Sequence, residues 1–293
     1  MSIMTQLEFE LDFSNSEKEI AHYILNEGEN ILHMSIKELA KQTYTSPATI
    51  VRLCQKLGLD GYSDFKIKYS AELQIDLANH NRIDVNFPFK ESDNDITIAH
   101  KLANMNQEVI TETMQLIDYD QLAKIVNELY KHQEIDVYGT GNSLLAALSF
   151  QHKMMRIQRN VNVKNIAGEQ VFMSYNSNDK KIALIISYSG ETYELLKIAR
   201  ILKEKKTPII VLTSVGDNHL SHYANYVLNM GSREKIFTKI APFASQISME
   251  YLLNLIYSCI FNKDYQNNIY YKISHDKEND MRHPNQSPIN EKV

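Results

Sequence analysis

The sequence has few cysteines, few basic residues for its length and no long apolar run, and these absences limit the protein classes it can encode. Cys54 and Cys259 stand far apart among apolar neighbours, which predicts two core thiols in a reducing cytoplasm rather than a disulfide. The longest apolar run, 182–186, is far short of the roughly 18 residues that cross a bilayer. The N-terminal residues lack a basic start followed by an apolar stretch, so neither a secretory signal nor a membrane partner is predicted.

The shortage of positive charge argues against a simple cationic nucleic-acid binder. The 293 residues carry a net charge of −5, and residues 1–77 hold seven Lys/Arg against twelve Asp/Glu. Residues 36–68 reverse this balance, with six Lys/Arg against three acids. A basic face on an acidic domain is therefore compatible with the composition, although composition alone does not indicate DNA. The length favours two domains, and 43% hydrophobic content supplies a sizeable core.

The first 77 residues have the periodicity and the caps of an all-helical domain. Ser14 with Glu17, and Ser35 with Glu38, have the spacing of capping boxes ahead of apolar residues. A further helix is predicted to begin at Ser46, because proline is well tolerated at the first helical position that follows it. Residues 36–43 and 46–57 therefore have the dimensions of a helix-turn-helix.

The second of these helices would be the recognition helix, with its N-terminal residues at the base edges of DNA. Arg52 could bind a guanine edge through two hydrogen bonds, and two lysines of the next helix would suit phosphates. Amphipathic helices with surface lysines are also common in proteins that never contact DNA, so this pattern leaves both interpretations open. The predicted DNA-binding residues are Ser46, Ala48, Thr49, Arg52, Gln55, Lys56, Lys66 and Lys68.

Beyond residue 77 the pattern becomes an alternation of strands and helices. Residues 78–120 are predicted to form a polar linker and a lead helix near 98–117, and residues 121–262 an α/β domain. Strand–helix alternation of this kind predicts a parallel sheet with helices on both faces. The polar, Asn-rich residues 263–293 are predicted to be a disordered or loosely packed tail. Strands are expected at 134–138, 161–164, 181–187, 208–212 and 225–229, and helices near 121–131, 143–158, 169–175, 192–205, 218–222 and 242–261.

Glycines and hydroxyl residues follow two of the predicted strands, where open parallel sheets bind their ligands. The second loop offers three hydroxyls within six residues ahead of a helix N-terminus, a combination that suits a phosphate. Neither loop carries a Walker-type lysine or a complete dinucleotide motif. Helix capping alone would also explain these serines and threonines. The candidate effector-binding residues are Gly139, Gly141, Asn142, Ser143, Ser187, Tyr188, Ser189, Gly190, Glu191 and Thr192.

Residues 13–73 resemble the N-terminal domain of the RpiR family of bacterial regulators. The most specific segments are SEKE (16–19), MSIKELA (34–40), ATIVR (48–52) and KLGLDGY (56–62). The resemblance implies that this domain binds operator DNA. One departure is Tyr44, which stands where the family turn usually carries glycine. Because a tyrosine avoids left-handed backbone conformations, the turn is predicted to differ in geometry.

Residues from about 121 to 261 resemble the sugar isomerase (SIS) domain that follows the helix-turn-helix in the same family. The segments that carry this resemblance are YGTGNS (138–143), ISYSGET (186–192) and PIIVLTS (208–214). It implies that Ser143, Ser187, Ser189 and Thr192 bind a phosphorylated sugar, with backbone contacts from the neighbouring loop residues. Gln158 stands where many members carry glycine, and a local difference in that turn is predicted.

The fold class implied is an α/β sandwich with a five-stranded parallel sheet, preceded by an all-α helix-turn-helix domain. A sensor that regulates carbohydrate genes is favoured over a phosphosugar isomerase with an accessory head, because no carboxylate or histidine stands in a diagnostic catalytic pattern. A third hypothesis is a non-catalytic partner that regulates an enzyme. No cofactor is predicted, and no metal, since the histidines lack ligand spacing. A homo-oligomer, dimer or tetramer, is expected because paired heads recognise two half-sites.

Overall fold

The computed structural model describes residues 3–10, 12–78 and 83–279. Residues 3–78 form a helical head whose side chains enclose one apolar core, which includes Ile20, Leu39, Ile50 and Leu53. Cys54 lies in this core, and burial raises the pKa of its thiol to about 11. The elements of the head are α1 (Ile3–Phe9), α2 (Asn15–Glu27), a 3₁₀ helix (Gly28–His33), α3 (Ile36–Gln42), α4 (Pro47–Lys56) and α5 (Tyr62–Ala78).

The start of α3 and the start of α4 are both fixed by local hydrogen bonds, as the sequence predicts. The Ser35 hydroxyl accepts from the Glu38 N–H at 3.2 Å, and the Glu38 carboxylate accepts from the Ser35 N–H at 2.7 Å. The Ser46 hydroxyl caps α4 by accepting from the Thr49 N–H at 3.2 Å, with Pro47 as the first helical residue. Each cap of this kind contributes about 1 kcal/mol. The helix-turn-helix prediction is confirmed.

Helix α1 has no signal in the local sequence because its cap comes from a distant residue. The Glu72 carboxylate, on α5, accepts from the N–H groups of Ile3 at 2.8 Å and Met4 at 3.0 Å. A carboxylate at a helix N-terminus satisfies donors that would otherwise remain unpaired. These two hydrogen bonds fasten α1 to the rest of the head.

The turn between α3 and α4 keeps the backbone conformation that glycine favours. Tyr44 adopts φ 51°, a left-handed value, and its side chain is 96% exposed. The prediction of a different turn geometry is therefore wrong. Gln158, the second position where the family carries glycine, behaves in the same way with φ 59°, so the turn difference predicted there is wrong as well. At both sites a non-glycine residue accepts the strain of a left-handed conformation while the path of the chain is retained.

Replacing Tyr44 with glycine is expected to stabilise the head by up to about 1 kcal/mol. The left-handed conformation costs a non-glycine residue about 1–2 kcal/mol, and the freedom of glycine in the unfolded chain offsets about 0.4–1 kcal/mol of the gain. Tyr44→Ala is the matched control, since it removes the same exposed ring but keeps Cβ, and it should change stability by less than about 0.5 kcal/mol. Urea unfolding followed by helical circular dichroism measures both; equal stabilisation by alanine and glycine would contradict the explanation.

Residues 95–263 form the sheet domain, whose five parallel strands lie in the order β2-β1-β3-β4-β5. The predicted five-stranded parallel sheet is therefore confirmed, with strand ends within one or two residues of those expected. The predicted helix at 218–222 is only a 3₁₀ turn, Ser221–Tyr223. The elements are α6 (Asp95–Gln115), α7 (Tyr119–Lys131), β1 (Glu134–Gly139), α8 (Asn142–Met155), β2 (Asn160–Val163), α9 (Glu169–Tyr175), β3 (Ile182–Ile186), α10 (Tyr193–Glu204), β4 (Ile209–Ser214), β5 (Tyr226–Met230) and α11 (Phe243–Lys263).

Helices cover both faces of the sheet. One face packs its aliphatic side chains against α7, α8 and α11, and the other against α9 and α10. Helix α11 also packs against α6, and its Cys259 is a half-buried thiol that forms no disulfide with Cys54. Among the described residues, no helix combines the length and the apolar character that crossing a bilayer requires.

The polar C-terminal segment is helical over part of its length. Helix α12 (Tyr265–Asn279) contradicts disorder for its residues, whereas residues 265–276 are half-buried or exposed, which agrees with the alternative of loose packing. Aromatic rather than aliphatic contacts join it to α11, because Phe261 and Tyr265 meet edge to face at 5.4 Å. The rest of the predicted tail, 280–293, lies outside the described residues.

The linker between the two domains is packed rather than loose. Ile83 and Val85 are buried against Met105 and Val109 of α6 and Ala244 of α11. Sequence composition hides this contact, because two apolar residues within a polar stretch give no periodic signal. The predicted linker therefore belongs to the surface of the sheet domain from residue 83 onward.

Candidate ligand-binding site and DNA-binding surface

Two of the predicted loops lie side by side at the carboxyl edge of the sheet. Strands β1 and β3 are adjacent and parallel, with Gly139 in register with Ile186, so the segments that follow them emerge together. Residues 139–143 and 187–192 are called the edge loops here. Each leads directly into a helix, α8 and α10 respectively.

The first edge loop is held closely against the start of α8. A Cβ at Gly139 would lie 2.9 Å from the carbonyl carbon of Ser143, so only glycine fits there. Gly141 adopts φ 55° as the residue before α8, and Asn142 is exposed beside it. Gln170 of α9 fixes the loop from behind, since it accepts from the Gly139 N–H at 3.1 Å and donates to the Gly139 carbonyl at 2.8 Å.

The second edge loop turns its hydroxyl groups toward one another. The Ser187 and Thr192 hydroxyls are 3.3 Å apart, and the Ser189 hydroxyl accepts from the Glu191 N–H at 3.2 Å. Gly190 adopts φ 66°. A Cβ on this residue would lie 2.0 Å from the side-chain oxygen of Asn218. The loop geometry therefore depends on glycine at this position.

Neither edge loop uses its hydroxyls to cap the helix that follows. Thr192 precedes α10 and Gly141 precedes α8, and neither helix receives a side-chain capping bond. The alternative explanation, that these residues are ordinary helix caps, is therefore not supported by the geometry. The first-turn N–H groups of α10 remain directed toward the edge, where an anion is favoured.

Glu191 is bound to His219, a residue outside the predicted effector-binding set. Its carboxylate accepts from the His219 backbone N–H at 2.9 Å and pairs with the His219 ring nitrogen Nδ1 at 2.7 Å. These bonds lower the pKa of Glu191, the backbone bond from His219 having the largest effect. A general base for sugar isomerisation would need a pKa shifted the other way, toward neutrality.

Tyr188 directs its side chain away from the edge and into the structure. Its hydroxyl donates to the carbonyls of Ser232 at 3.1 Å and Glu234 at 2.8 Å, and burial raises its pKa to about 12. Its own carbonyl accepts from the Ser214 N–H at 2.9 Å. Tyr188 therefore connects the second edge loop to the segment after β5.

A cavity of about 560 Å³ lies apart from the edge loops, between β1, β2 and α9. Its floor contains Asp136, which is fully buried and accepts from Asn162 at 2.8 Å, with the Lys181 ammonium 3.6 Å away. Burial outweighs these contacts and raises the pKa of Asp136. None of the predicted binding residues lines this cavity. Within the described part of the chain, no group of His, Cys, Asp and Glu side chains could hold a metal ion.

The exposed side of α4 carries most of the predicted DNA-binding residues. Arg52 is exposed and donates to the Thr49 hydroxyl at 3.3 Å, which is itself 2.9 Å from the Ser46 hydroxyl. Ala48 and Gln55 are also exposed. One terminal nitrogen of the guanidinium makes this bond, while Arg52 as a whole stays exposed to solvent.

The predicted lysines differ in how much of their charge remains available. Lys56 donates to the buried Glu17 carboxylate at 2.7 Å, and Lys66 donates to the carbonyls of Leu32 and Met34 at 3.3 and 3.4 Å. Both ammonium groups thus hold the head together, which sequence reasoning did not anticipate. Lys68 is exposed, and within the described part of the chain it pairs only with Asp64 of its own helix, at 3.1 Å.

Comparison with known proteins identifies both halves of the chain. The family model described as the helix-turn-helix domain of the rpiR family matches residues 1–76, and that of the SIS domain matches residues 128–255. An uncharacterized HTH-type transcriptional regulator of Clostridium perfringens is 30% identical, with 93% of this chain and 97% of the relative aligned. The chain belongs to the RpiR family of transcriptional regulators.

One further relative and one solved structure are also similar to this chain. An HTH-type transcriptional regulator of Haemophilus influenzae is 32% identical over 84% of this chain and 85% of the relative. Among solved structures, the Vibrio vulnificus NanR protein complexed with ManNAc-6P aligns with a TM-score of 0.60 at 24% identity, over 95% of this chain and 99% of that one. The likeness to NanR establishes a common fold.

Proposed function

We propose that this RpiR-family member binds operator DNA through α4 and that a phosphorylated sugar in the edge loops controls this binding. The genes it regulates would belong to carbohydrate metabolism, and the protein would act in the cytoplasm without catalysing a reaction. Its partners are double-stranded operator DNA, the sugar phosphate and further copies of itself.

The observation that carries the proposal is a set of hydroxyl groups beside the N-termini of two neighbouring helices. The residues that precede these helices make no side-chain capping bond to them. Ser143, Ser187, Ser189 and Thr192 lie at one edge of the sheet, beside backbone N–H groups and without a lysine. Such a site favours an anion through hydrogen bonds and helix dipoles. The sugar phosphate named in the NanR complex supports this ligand class for a protein of the same fold.

Regulation rather than catalysis is favoured by the chemistry of the nearby titratable groups. Glu191 is the carboxylate within the edge loops, and its pKa is lowered rather than raised. A carboxylate of that kind is a poor acceptor for a carbon-bound proton at neutral pH. The same chain carries a DNA-binding head. A sheet domain that binds a ligand without converting it could therefore control DNA binding.

The proposed mechanism is thermodynamic linkage between two binding events. A sugar phosphate that prefers one arrangement of the subunits changes the placement of two heads on paired half-sites. Coupling of this type typically amounts to about 1–3 kcal/mol, or roughly 5–150-fold in affinity. A homo-oligomer, dimer or tetramer, provides the two heads.

The double variant Ser189→Ala with Thr192→Ala is expected to lose the response to sugar phosphate while it still binds operator DNA. Each lost hydrogen bond to a charged phosphate removes about 1.5–3 kcal/mol, so the effector affinity should fall by at least roughly 100-fold. Thr111→Ala with Ser274→Ala is the matched control, because both hydroxyls lie outside the edge loops, on α6 and α12, and each donates to a carbonyl of its own helix. Fluorescence anisotropy of labelled operator DNA across an effector titration measures the response; a half-maximal concentration unchanged from wild type would contradict the proposed site.

A further inference from the structure

The segment between β5 and α11, residues 231–242, contacts the second edge loop, the interdomain linker and the helical head. It is called the β5–α11 loop here. Neither the proposed DNA contacts nor the proposed ligand contacts described above involve this loop. Because they join the proposed effector site to the proposed DNA-binding domain, they define a physical route between the two.

On the effector side, the β5–α11 loop is bound to Tyr188. The Tyr188 hydroxyl donates to the carbonyls of both Ser232 and Glu234, the residues on either side of Arg233. The buried Glu234 carboxylate in turn accepts from the Ser245 N–H at 3.0 Å and its hydroxyl at 2.7 Å, at the start of α11. A displacement of the second edge loop must therefore pull on the backbone around Arg233.

On the head side, Arg233 forms ion pairs with two domains at once. Its guanidinium lies 3.5 Å from the Glu8 carboxylate of α1 and 3.0 Å from the Glu112 carboxylate of α6. The Arg233 side chain is 19% exposed, so solvent screens these pairs less than it screens surface pairs. Since Glu72 fastens α1 to α5, a force on Glu8 acts on the whole head.

The linker supplies a second connection to the same loop. The Asn86 side-chain oxygen accepts from the Lys235 N–H at 2.7 Å, and the Asn86 carbonyl accepts from the Ile240 N–H at 2.9 Å. Asn86 is buried and is itself bound by Asp84. The position of the linker is thus tied to the conformation of the β5–α11 loop.

The loop has little freedom to absorb a displacement locally. A Cβ on Gly231 would lie 2.5 Å from the backbone nitrogen of Thr113, so the loop begins in close contact with α6.

The buried Nε of Arg233 has no hydrogen-bond partner among the described atoms. An unsatisfied buried donor means that a different arrangement of these ion pairs could compete with the observed one.

Resting on the proposed function, we propose that the β5–α11 loop transmits effector binding to the DNA-binding head, with Arg233 as the principal positioning residue. Occupation of the edge loops shifts Tyr188, Tyr188 shifts the backbone of residues 232–234, and Arg233 redistributes its ion pairing between Glu8 and Glu112. The head then moves together with Glu8, and the linker moves together with Asn86.

The test measures operator affinity with and without a saturating sugar phosphate for wild type, Arg233→Ala and Glu8→Gln. The probe is whichever of glucose 6-phosphate, fructose 6-phosphate, glucosamine 6-phosphate and N-acetylmannosamine 6-phosphate changes wild-type affinity most. Lys235→Ala is the matched control, because its side chain is exposed and only its backbone N–H bonds to Asn86. Isothermal titration of the same probe into each variant measures effector affinity separately, and thermal unfolding verifies that each variant is folded.

Arg233→Ala and Glu8→Gln are both expected to reduce the effector-induced change in operator affinity to less than twofold, from the roughly 5–150-fold typical of such coupling. Effector affinity should stay within threefold of wild type in both variants and in the control, and Lys235→Ala should keep the full response. Arg233→Lys retains the charge but loses the planar guanidinium with its several fixed donors, so it should give an intermediate response. Wild-type coupling in both Arg233→Ala and Glu8→Gln would overturn the inference alone. A wild type that binds no sugar phosphate would instead overturn the proposed function together with the inference.

Discussion

Gly190→Ala is expected to abolish binding of sugar phosphate at concentrations that saturate the wild type. The added Cβ would lie 2.0 Å from the Asn218 side-chain oxygen and 2.8 Å from its Cβ, and Asn218 is buried. The backbone at φ 66° adds a strain of about 1–2 kcal/mol. Relief of both requires the second edge loop to move away from its observed path. Movement of that loop separates the hydroxyls of Ser187 and Thr192, and the affinity should fall by at least roughly 100-fold.

Gly28→Ala provides the matched control for this prediction. Gly28 has φ 55° and open space where its Cβ would stand, so alanine there introduces strain without a collision. Calorimetric titration with the active sugar phosphate should therefore show normal affinity for Gly28→Ala and none for Gly190→Ala. Retained affinity in Gly190→Ala would mean that the ligand does not depend on the second edge loop.

Arg52→Ala is expected to weaken operator binding by at least about 30-fold and to remove discrimination at one base pair of each half-site. A bidentate contact between arginine and guanine contributes about 1–3 kcal/mol, and an oligomer on two half-sites loses two of them. Among the described residues, Arg52 donates only to Thr49, at 3.3 Å, so its removal should leave the head folded. Binding of sugar phosphate should be unchanged, because Arg52 belongs to the other domain.

Lys68→Ala separates base recognition from general electrostatic attraction. Lys68 is exposed and pairs with Asp64 of its own helix, so it fits a phosphate contact. Its loss should weaken binding to all DNA sequences alike and reduce the slope of log affinity against log salt by about 0.9 per head. Arg52→Ala should instead reduce the ratio of specific to non-specific affinity.

Equal operator affinity in wild type and Arg52→Ala would contradict the Arg52 prediction and place the recognition surface elsewhere.

The parts of the fold that follow from local chemistry are predictable from the sequence. The capping boxes at Ser14 and Ser35 and the proline at Pro47 fix the helices of the head within a few residues. The glycine and hydroxyl residues after β1 and β3 mark the edge loops, because both loops are continuous in the chain and parallel strands bring their ends together.

The parts that depend on distant residues are not predictable in this way. Gln170 binds the first edge loop from 31 residues away, and Asn218 occupies the space beside Gly190, yet neither stands in a recognisable motif. Glu72 caps α1 across nearly the whole head. The sequence pattern also predicts that Lys56 and Lys66 contact DNA, whereas both are held by partners within the head.

The strain at Tyr44 shows the limit of reasoning from one residue's preference. The expectation of a different turn follows correctly from the cost of a left-handed tyrosine. The surrounding helices are fixed by caps and by the common core, which together outweigh a cost of about 1–2 kcal/mol. The chain therefore keeps the turn and tolerates the residue, with its ring 96% exposed.

The most direct test of the account is the affinity of the purified protein for its own upstream DNA, measured across salt concentrations with and without a panel of sugar phosphates. The account predicts sequence-selective binding with a steep salt dependence, and a change of roughly 5–150-fold in affinity with at least one sugar phosphate. Isomerisation of the sugar phosphate during the assay would favour the enzyme alternative. The absence of sequence-selective binding under every condition would contradict the account.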